Sequence, residues 1–225
     1  DILGEPGVGA DAEILALCLE SLRGFGLSPE MICARLSDRD LWLIYLESLG
    51  HTGDAAMGIL GVIDKMERMP REAVLEKLGP WFGDAREDFL ANVEALVRIR
   101  DLETLNEFML AQAPTGELKD RLRTRLGVWS ELWELIEALG LRDYVRIDLG
   151  IVRGLAYYTG FVFEVFSLDA EGAMTGRALA GGGRYDHLVG KLGYPEMPAV
   201  GFGMGDGTLA DCLEERNLLP PLIDA

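Results

Sequence analysis

Hydrophobic positions change their period several times along this chain. Over residues 11–26, Ile14, Leu15, Leu17, Cys18 and Leu22 recur at helical spacing, and Gly24 and Gly26 punctuate the end. That pattern predicts an amphipathic helix. Residues 31–36 are short and apolar and read as a strand. From about Asp38 to Leu141 the texture is helical, with few β-branched runs, and helices are predicted over 54–68, 71–78, 84–100 and 116–139. In the last of these, Leu118, Leu122, Leu126, Trp129, Trp133 and Ile136 form one stripe, where tryptophan serves packing rather than ligand contact. At Tyr144 the period shortens to two. Residues 144–149 alternate, 157–168 are aromatic and β-branched, and 169–176 hold the turn residues of a hairpin. Residues 178–183 lead into a glycine cluster, 198–204 form a short glycine-rich strand, and 208–216 a closing helix.

The plan is α+β. A sheet portion (1–37) is interrupted by a helical block (38–142) and then resumed (143–225). A block of about a hundred residues exceeds any ordinary loop, so it is expected to be an inserted helical domain. No internal repeat is visible.

Composition narrows the function. The net charge of −17, from 21 Lys and Arg against 38 Asp and Glu, excludes a broad phosphate-binding face. Lys119, Arg121, Arg123 and Arg125 are the one local basic run. They could touch RNA, but the interleaved Asp120 and the helical setting favour a solvated face. Cys18, Cys33 and Cys212 are scattered, and His51 and His187 have no partner motif, so no metal site is expected. Free thiols suit a reducing, cytoplasmic setting. No apolar run reaches membrane-spanning length. The chain starts at Asp1 without a methionine, and is expected to be a piece of something longer.

Two segments carry candidate chemistry. The first is Arg153-Gly-Leu-Ala-Tyr-Tyr-Thr-Gly-Phe-Val-Phe-Glu164. An arginine beside a glycine at the mouth of a sheet can present its fork to a phosphate or carboxylate, although alone it reads as a surface arginine. On a strand, Tyr157 and Tyr158 point to opposite faces, so at most one should line a given pocket. The second is Ala180-Gly-Gly-Gly-Arg-Tyr-Asp186. Its glycines let backbone approach a ligand closely or simply make a tight turn. Its spacing fits neither a P-loop nor a dinucleotide fingerprint. Further on, Gly201, Gly203 and Gly205 alternate, leaving a flat floor that suits a planar ring or close helix packing.

Together these segments resemble the histidine-specific motifs of histidyl-tRNA synthetases. The resemblance covers nearly the whole chain. Asp1-Ile-Leu-Gly with Ala10-Asp-Ala-Glu13 resembles the segment after the second class II motif. Asp64-Lys-Met-Glu-Arg68 resembles part of the family's insertion domain, and residues 198–209 resemble the third class II motif. The resemblance implies a class II synthetase-like antiparallel sheet flanked by helices, with a large all-helical insertion. It implies ATP-dependent activation of histidine and its transfer to histidine tRNA, with Mg2+ accompanying ATP, by a homodimer. By position, Arg153 matches the catalytic arginine that meets the histidine carboxylate and the ATP α-phosphate. Asp1, Tyr157, Tyr158 and Tyr185 match histidine-binding residues. Arg153, Gly203, Gly205 and Thr208 fall at ATP-binding positions.

The chain departs from the commoner family pattern twice. Ala156 stands where an aspartate is usual, and Gly207-Thr208 stands where the third motif has Glu-Arg. This spelling resembles a divergent branch that includes plant organellar and some bacterial enzymes. The other reading is a non-catalytic histidine-binding regulatory subunit associated with ATP phosphoribosyltransferase. The first two class II motifs and the anticodon-binding domain are expected outside this stretch, so the stretch alone is expected to be inactive.

Overall fold

The computed structural model describes residues 1–112, 115–152 and 157–219. Six strands form one sheet in the order β1-β6-β5-β4-β2-β3. They are β1 (Ile2–Leu3), β2 (Ile32–Asp38), β3 (Val145–Ile147), β4 (Phe161–Leu168), β5 (Met174–Arg184) and β6 (Ala199–Met204). Every neighbouring pair is antiparallel except β2 with β3. That parallel pair follows from connectivity: the whole helical block lies between the two strands, and a parallel pair needs a crossover of this kind.

The register sorts side chains onto two faces, because directly paired residues point the same way. One row runs Ile147, Leu36, Phe163, Gly182, Phe202. Ile147, Leu36 and Phe163 are fully buried there. Helices α1 (Val8–Gly24) and α9 (Asp206–Glu215) pack on β5 and share one continuous core with this face. The neighbouring row runs Arg146, Arg35, Glu164, Gly181, Gly203 and lies on the opposite, polar face. The glycines at its β5–β6 end leave that part of the sheet without side chains.

The helical block comprises α2 (Arg39–Ser48), α3 (Gly53–Ile63), α4 (Arg71–Phe82), α5 (Arg86–Leu96), α6 (Leu102–Gln112) and α7 (Glu117–Ala138). It is anchored at the end of β2. There Asp38, fully buried, accepts from the Leu41 amide at 2.9 Å and caps α2. The same carboxylate accepts from the Trp129 indole at 2.8 Å and from the Arg125 guanidinium, both on α7. Trp42 of α2 donates to the Leu149 carbonyl at 2.9 Å, tying the block to the chain leaving β3. Inside the block, Trp81 lies so close to Gly58 that a Cβ there would come within 2.5 Å of the ring. Phe82 stacks on Phe89 with centroids 3.8 Å apart.

The α7 stripe falls as expected, with Leu122, Leu126, Trp129 and Ile136 buried. Other expectations needed adjustment. Helix α1 starts at Val8 rather than at residue 11. The segment expected to be one helix over 54–68 breaks into α3 and a single 3-10 turn at Met66–Arg68. Strand β1, helix α6 and the four-residue helix α8 (Leu188–Lys191) carry too short or too weak a pattern to stand out.

At the centre of the sheet, a Cβ on Gly182 would overlap the Gly201 carbonyl oxygen and press on Phe202. Gly182→Ala should therefore force β5 and β6 apart and lower stability by about 1–3 kcal/mol. Urea unfolding followed by far-UV circular dichroism measures this, and an unchanged midpoint would contradict the close approach.

Candidate functional site

The two tyrosines are set by the turn that leads into β4. The strand begins only at Phe161, so Tyr157 and Tyr158 are not strand residues. Gly160 takes φ +66, a conformation that favours glycine. The Thr159 amide donates to the Arg184 carbonyl at 2.7 Å, and the Gly160 carbonyl accepts from the Arg39 amide at 2.9 Å. With the chain turned in this way, strand alternation does not apply. The expectation that at most one tyrosine lines a pocket is corrected: both line the same two cavities. Their ring centroids are 4.7 Å apart, and Tyr185 meets Tyr157 edge-on at 6.0 Å. Arg153 and Ala156 lie outside the described residues.

The first cavity, of about 290 Å³, is lined by Asp1, Tyr157, Tyr158, Tyr185, Gly201 and Gly203 among others. The Tyr185 hydroxyl donates to the Asp1 carboxylate. A Cβ on Gly201 would collide with that carboxylate, so any side chain there would displace Asp1 from its place over β6. Sequence reading saw Gly201 only as part of an alternating run. Burial, and secondarily the neighbouring Tyr158 and Tyr157, hold the Tyr185 hydroxyl above the usual phenol range.

Behind this cavity, Arg184 locks the surrounding backbone. Its guanidinium pairs with Asp11 of α1, with Nε donating at 2.9 Å, and donates to the carbonyls of Glu5 and Gly7 at 3.1 Å each. It also reaches Asp186 at 3.2 Å. Asp186 in turn accepts from the Ala199 amide at 3.1 Å, and its own amide donates to Thr159 Oγ1 at 3.2 Å. The loop after Asp1, the turn after the tyrosines and the end of β5 are therefore cross-linked through one buried cation. Arg184 and Asp186 were visible in the glycine-cluster motif. Their partner Asp11 lies 173 residues away from Arg184, and the segment around it gave no sign of this pairing.

The second cavity, of about 360 Å³, is lined by Tyr157, Tyr158, residues 178–181, Gly203, Met204 and Gly205. It shares Tyr157, Tyr158 and Gly203 with the first. Nothing lies within 4 Å of where a Gly203 Cβ would be, so open floor is available there. Thr208 sits in the first turn of α9, and its hydroxyl donates to the Gly205 carbonyl at 3.1 Å. It supports the Gly205 turn and is not among the residues lining the cavity. A third cavity, of about 970 Å³, occupies the other end of the polar face beside Arg35, Arg146, Glu67 and Asp148. Arg35 pairs there with Asp148 at 2.9 Å and Glu67 at 2.7 Å, a cluster that sequence reading did not single out.

The basic run on α7 is largely neutralised within the chain. Arg121 pairs with Glu47 at 2.9 Å, Arg123 with Asp120 at 2.9 Å, and Arg125 with Asp38. No helix among the described residues is long and apolar enough to cross a membrane.

A six-stranded, mainly antiparallel sheet with helices on its apolar face and ligand-sized cavities over its glycine-rich polar face is a class II synthetase-like fold. Residues 1–206 match the histidyl-tRNA synthetase family, and the chain belongs to it. It is 42% identical over 228 residues to a histidine–tRNA ligase of Opitutus terrae, covering 100% of this chain and 49% of that protein. It is 32% identical to the chloroplastic/mitochondrial histidine–tRNA ligase of Arabidopsis thaliana, over 99% of this chain and 42% of that protein. The chain thus spans about half the length of the curated relatives it matches. Among solved structures, an ATP phosphoribosyltransferase regulatory subunit/histidyl-tRNA synthetase from Bacillus halodurans shares the fold with TM-score 0.74 at 24% identity, over 94% of this chain and 52% of that one.

Burial pushes the Asp11 carboxyl up to about 6, against the opposing pull of Arg184. A carboxyl whose folded pKa lies above its ordinary 3.8 binds more protons when folded. Its contribution to stability is present at low pH and is lost as pH rises from about 4 through about 6, amounting to about 3 kcal/mol at most. Urea unfolding of wild type and Asp11→Asn across this range should show their stability difference shifting against wild type as pH rises. A flat difference would contradict the assignment.

Proposed function

We propose that this chain is the histidine-recognition portion of a histidine–tRNA ligase, which activates histidine with ATP and passes it to histidine tRNA. The observation that carries this reading is the pair of adjoining cavities that share Tyr157, Tyr158 and Gly203. One bears a carboxylate and three tyrosines, suited to an ammonium group and an imidazole. The other is floored by glycine, suited to a flat purine. A carboxylate held in the first would meet an α-phosphate at the shared wall, the geometry for in-line attack with pyrophosphate leaving.

In this reading Asp1 holds the substrate ammonium and Tyr185 orients Asp1 through its hydroxyl. Tyr157 and Tyr158 flank the imidazole, and Gly203 and Gly205 lie against the adenosine. Arg153 supplies the positive charge that offsets charge building up at phosphorus. Thr208 supports the ATP end of the site through the Gly205 turn, to whose carbonyl its hydroxyl donates. Mg2+ enters with ATP as part of the substrate. The helical block 38–142 acts as an insertion between the two sheet portions, 1–37 and 143–225. The parent protein works as a cytoplasmic homodimer and meets its tRNA largely through surfaces other than this acidic chain.

Histidine-dependent pyrophosphate exchange by the parent protein tests the reading. Arg153→Ala should lower the exchange rate by about a hundredfold or more, the usual scale for removing a transition-state charge donor. Tyr185→Phe should raise the KM for histidine while leaving that for ATP nearly unchanged. Tight histidine binding with no exchange in the wild type would instead point to a regulatory histidine-binding subunit.

A further inference from the structure

The turn carrying the two tyrosines meets the helical block at Gly160, and its approach to α7 is unusually close. A Cβ on Gly160 would lie 2.5 Å from Arg125 Nη2 and 3.4 Å from Asp40 Oδ2. The Arg125 guanidinium therefore lies directly against Gly160, two residues beyond Tyr158. It is held there from below. Nε donates to Asp38 Oδ2 at 2.8 Å, Nη2 donates to the same oxygen, and Nη1 faces Asp40 at 3.8 Å. Asp38 is itself immobilised by the Leu41 amide and the Trp129 indole. The planar fork can satisfy Asp38 and cover Gly160 at once, which a lysine ammonium cannot do.

On its other side, Gly160 is bound to the start of α2 through the Arg39 amide, and Thr159 is bound to Arg184 and Asp186. A continuous line of contacts thus runs from α7, through Arg125 and Gly160, to Tyr157 and Tyr158. Arg125 also lines a cleft of about 800 Å³ between α2 and α7, so its position depends on how those two helices are seated.

We propose that Arg125 is a positioning residue for the tyrosine pocket: clamped by Asp38, it fixes the Gly160 turn and makes the seating of α7 a determinant of amino-acid binding. It touches neither cavity of the candidate site. Its effect passes through the orientation of Tyr157 and Tyr158. The inference rests on the proposed histidine-activating function for its kinetic consequence, but its structural half stands apart from that reading.

The test uses the parent protein with Arg125→Lys, and with Asp38→Asn/Arg125→Gln, which removes both charges together and leaves no lone buried charge. Amide hydrogen exchange, without any ligand, should accelerate over residues 157–160 in either variant, with the sheet amides of β5 and β6 unchanged. In pyrophosphate exchange, the KM for histidine should rise about tenfold and that for ATP by less than about twofold. Unchanged protection at 157–160 in a folded variant would overturn the clamp. Accelerated exchange with an unaltered histidine KM, or an equal rise in both KM values, would overturn its role in amino-acid binding. A wild-type protein inactive with histidine would refute the proposed function, while the exchange data would still decide the clamp.

Discussion

One buried carboxylate organises the junction on which this structure depends. Asp38 ends β2, caps α2 and receives the Arg125 and Trp129 side chains of α7. A fully buried charge is tolerable only when such partners surround it. Because those partners come from the start and the end of the helical block, neutralising Asp38 requires that the block close on itself at the sheet. Truncating any one partner leaves a charge or a donor unsatisfied in the interior. The sheet therefore places the block, and the block in turn presses on the turn beside the tyrosines.

A second buried pair repeats the device on the other side. Arg184 and Asp11 join β5 to α1, and the remaining donors of Arg184 hold the carbonyls of Glu5 and Gly7. Asp38 is close enough to add slightly to the upward push that burial exerts on the Asp11 carboxyl. The region beneath the candidate site is thus a small lattice of carboxylates and guanidiniums within an acidic chain. Its cations serve internal order, and Arg121, Arg123 and Arg125 of α7 each have a carboxylate partner within the chain.

Much of the layout was legible in the chain itself. Helical period over α1 and α7 and the dyad texture of β4 reflect apolar faces that burial demands, so they survive as local signals. The glycine cluster and the tyrosine segment, both visible in the sequence, meet around the same pair of cavities. Long-range pairings were not legible. Nothing near Asp11 announces Arg184, and nothing near Asp38 announces Arg125, because a buried ion pair leaves no period and no spacing. The pair of tyrosines was misread as strand for a related reason. Their aromatic, β-branched context matches a strand locally, and only the tertiary contacts of Gly160 show that the chain turns there first. The parallel β2–β3 pair likewise depends on where a remote segment returns.

The packing around Gly182 and Gly201 bears on how such a chain can drift. At Gly182 a methyl group would strike the backbone of the adjacent strand, whatever the protein does for a living cell. Selection for folding alone is enough to keep that glycine, even in a descendant that has abandoned catalysis. Gly201 differs, since the atom it makes room for is the Asp1 carboxylate, a group with no evident part in holding the sheet together. The two positions look alike in the sequence but answer to different constraints. Gly182 serves the shape of the sheet, whereas the trio of Asp1, Tyr185 and Gly201 serves the wall of a cavity. In this chain all three are present and fitted to one another.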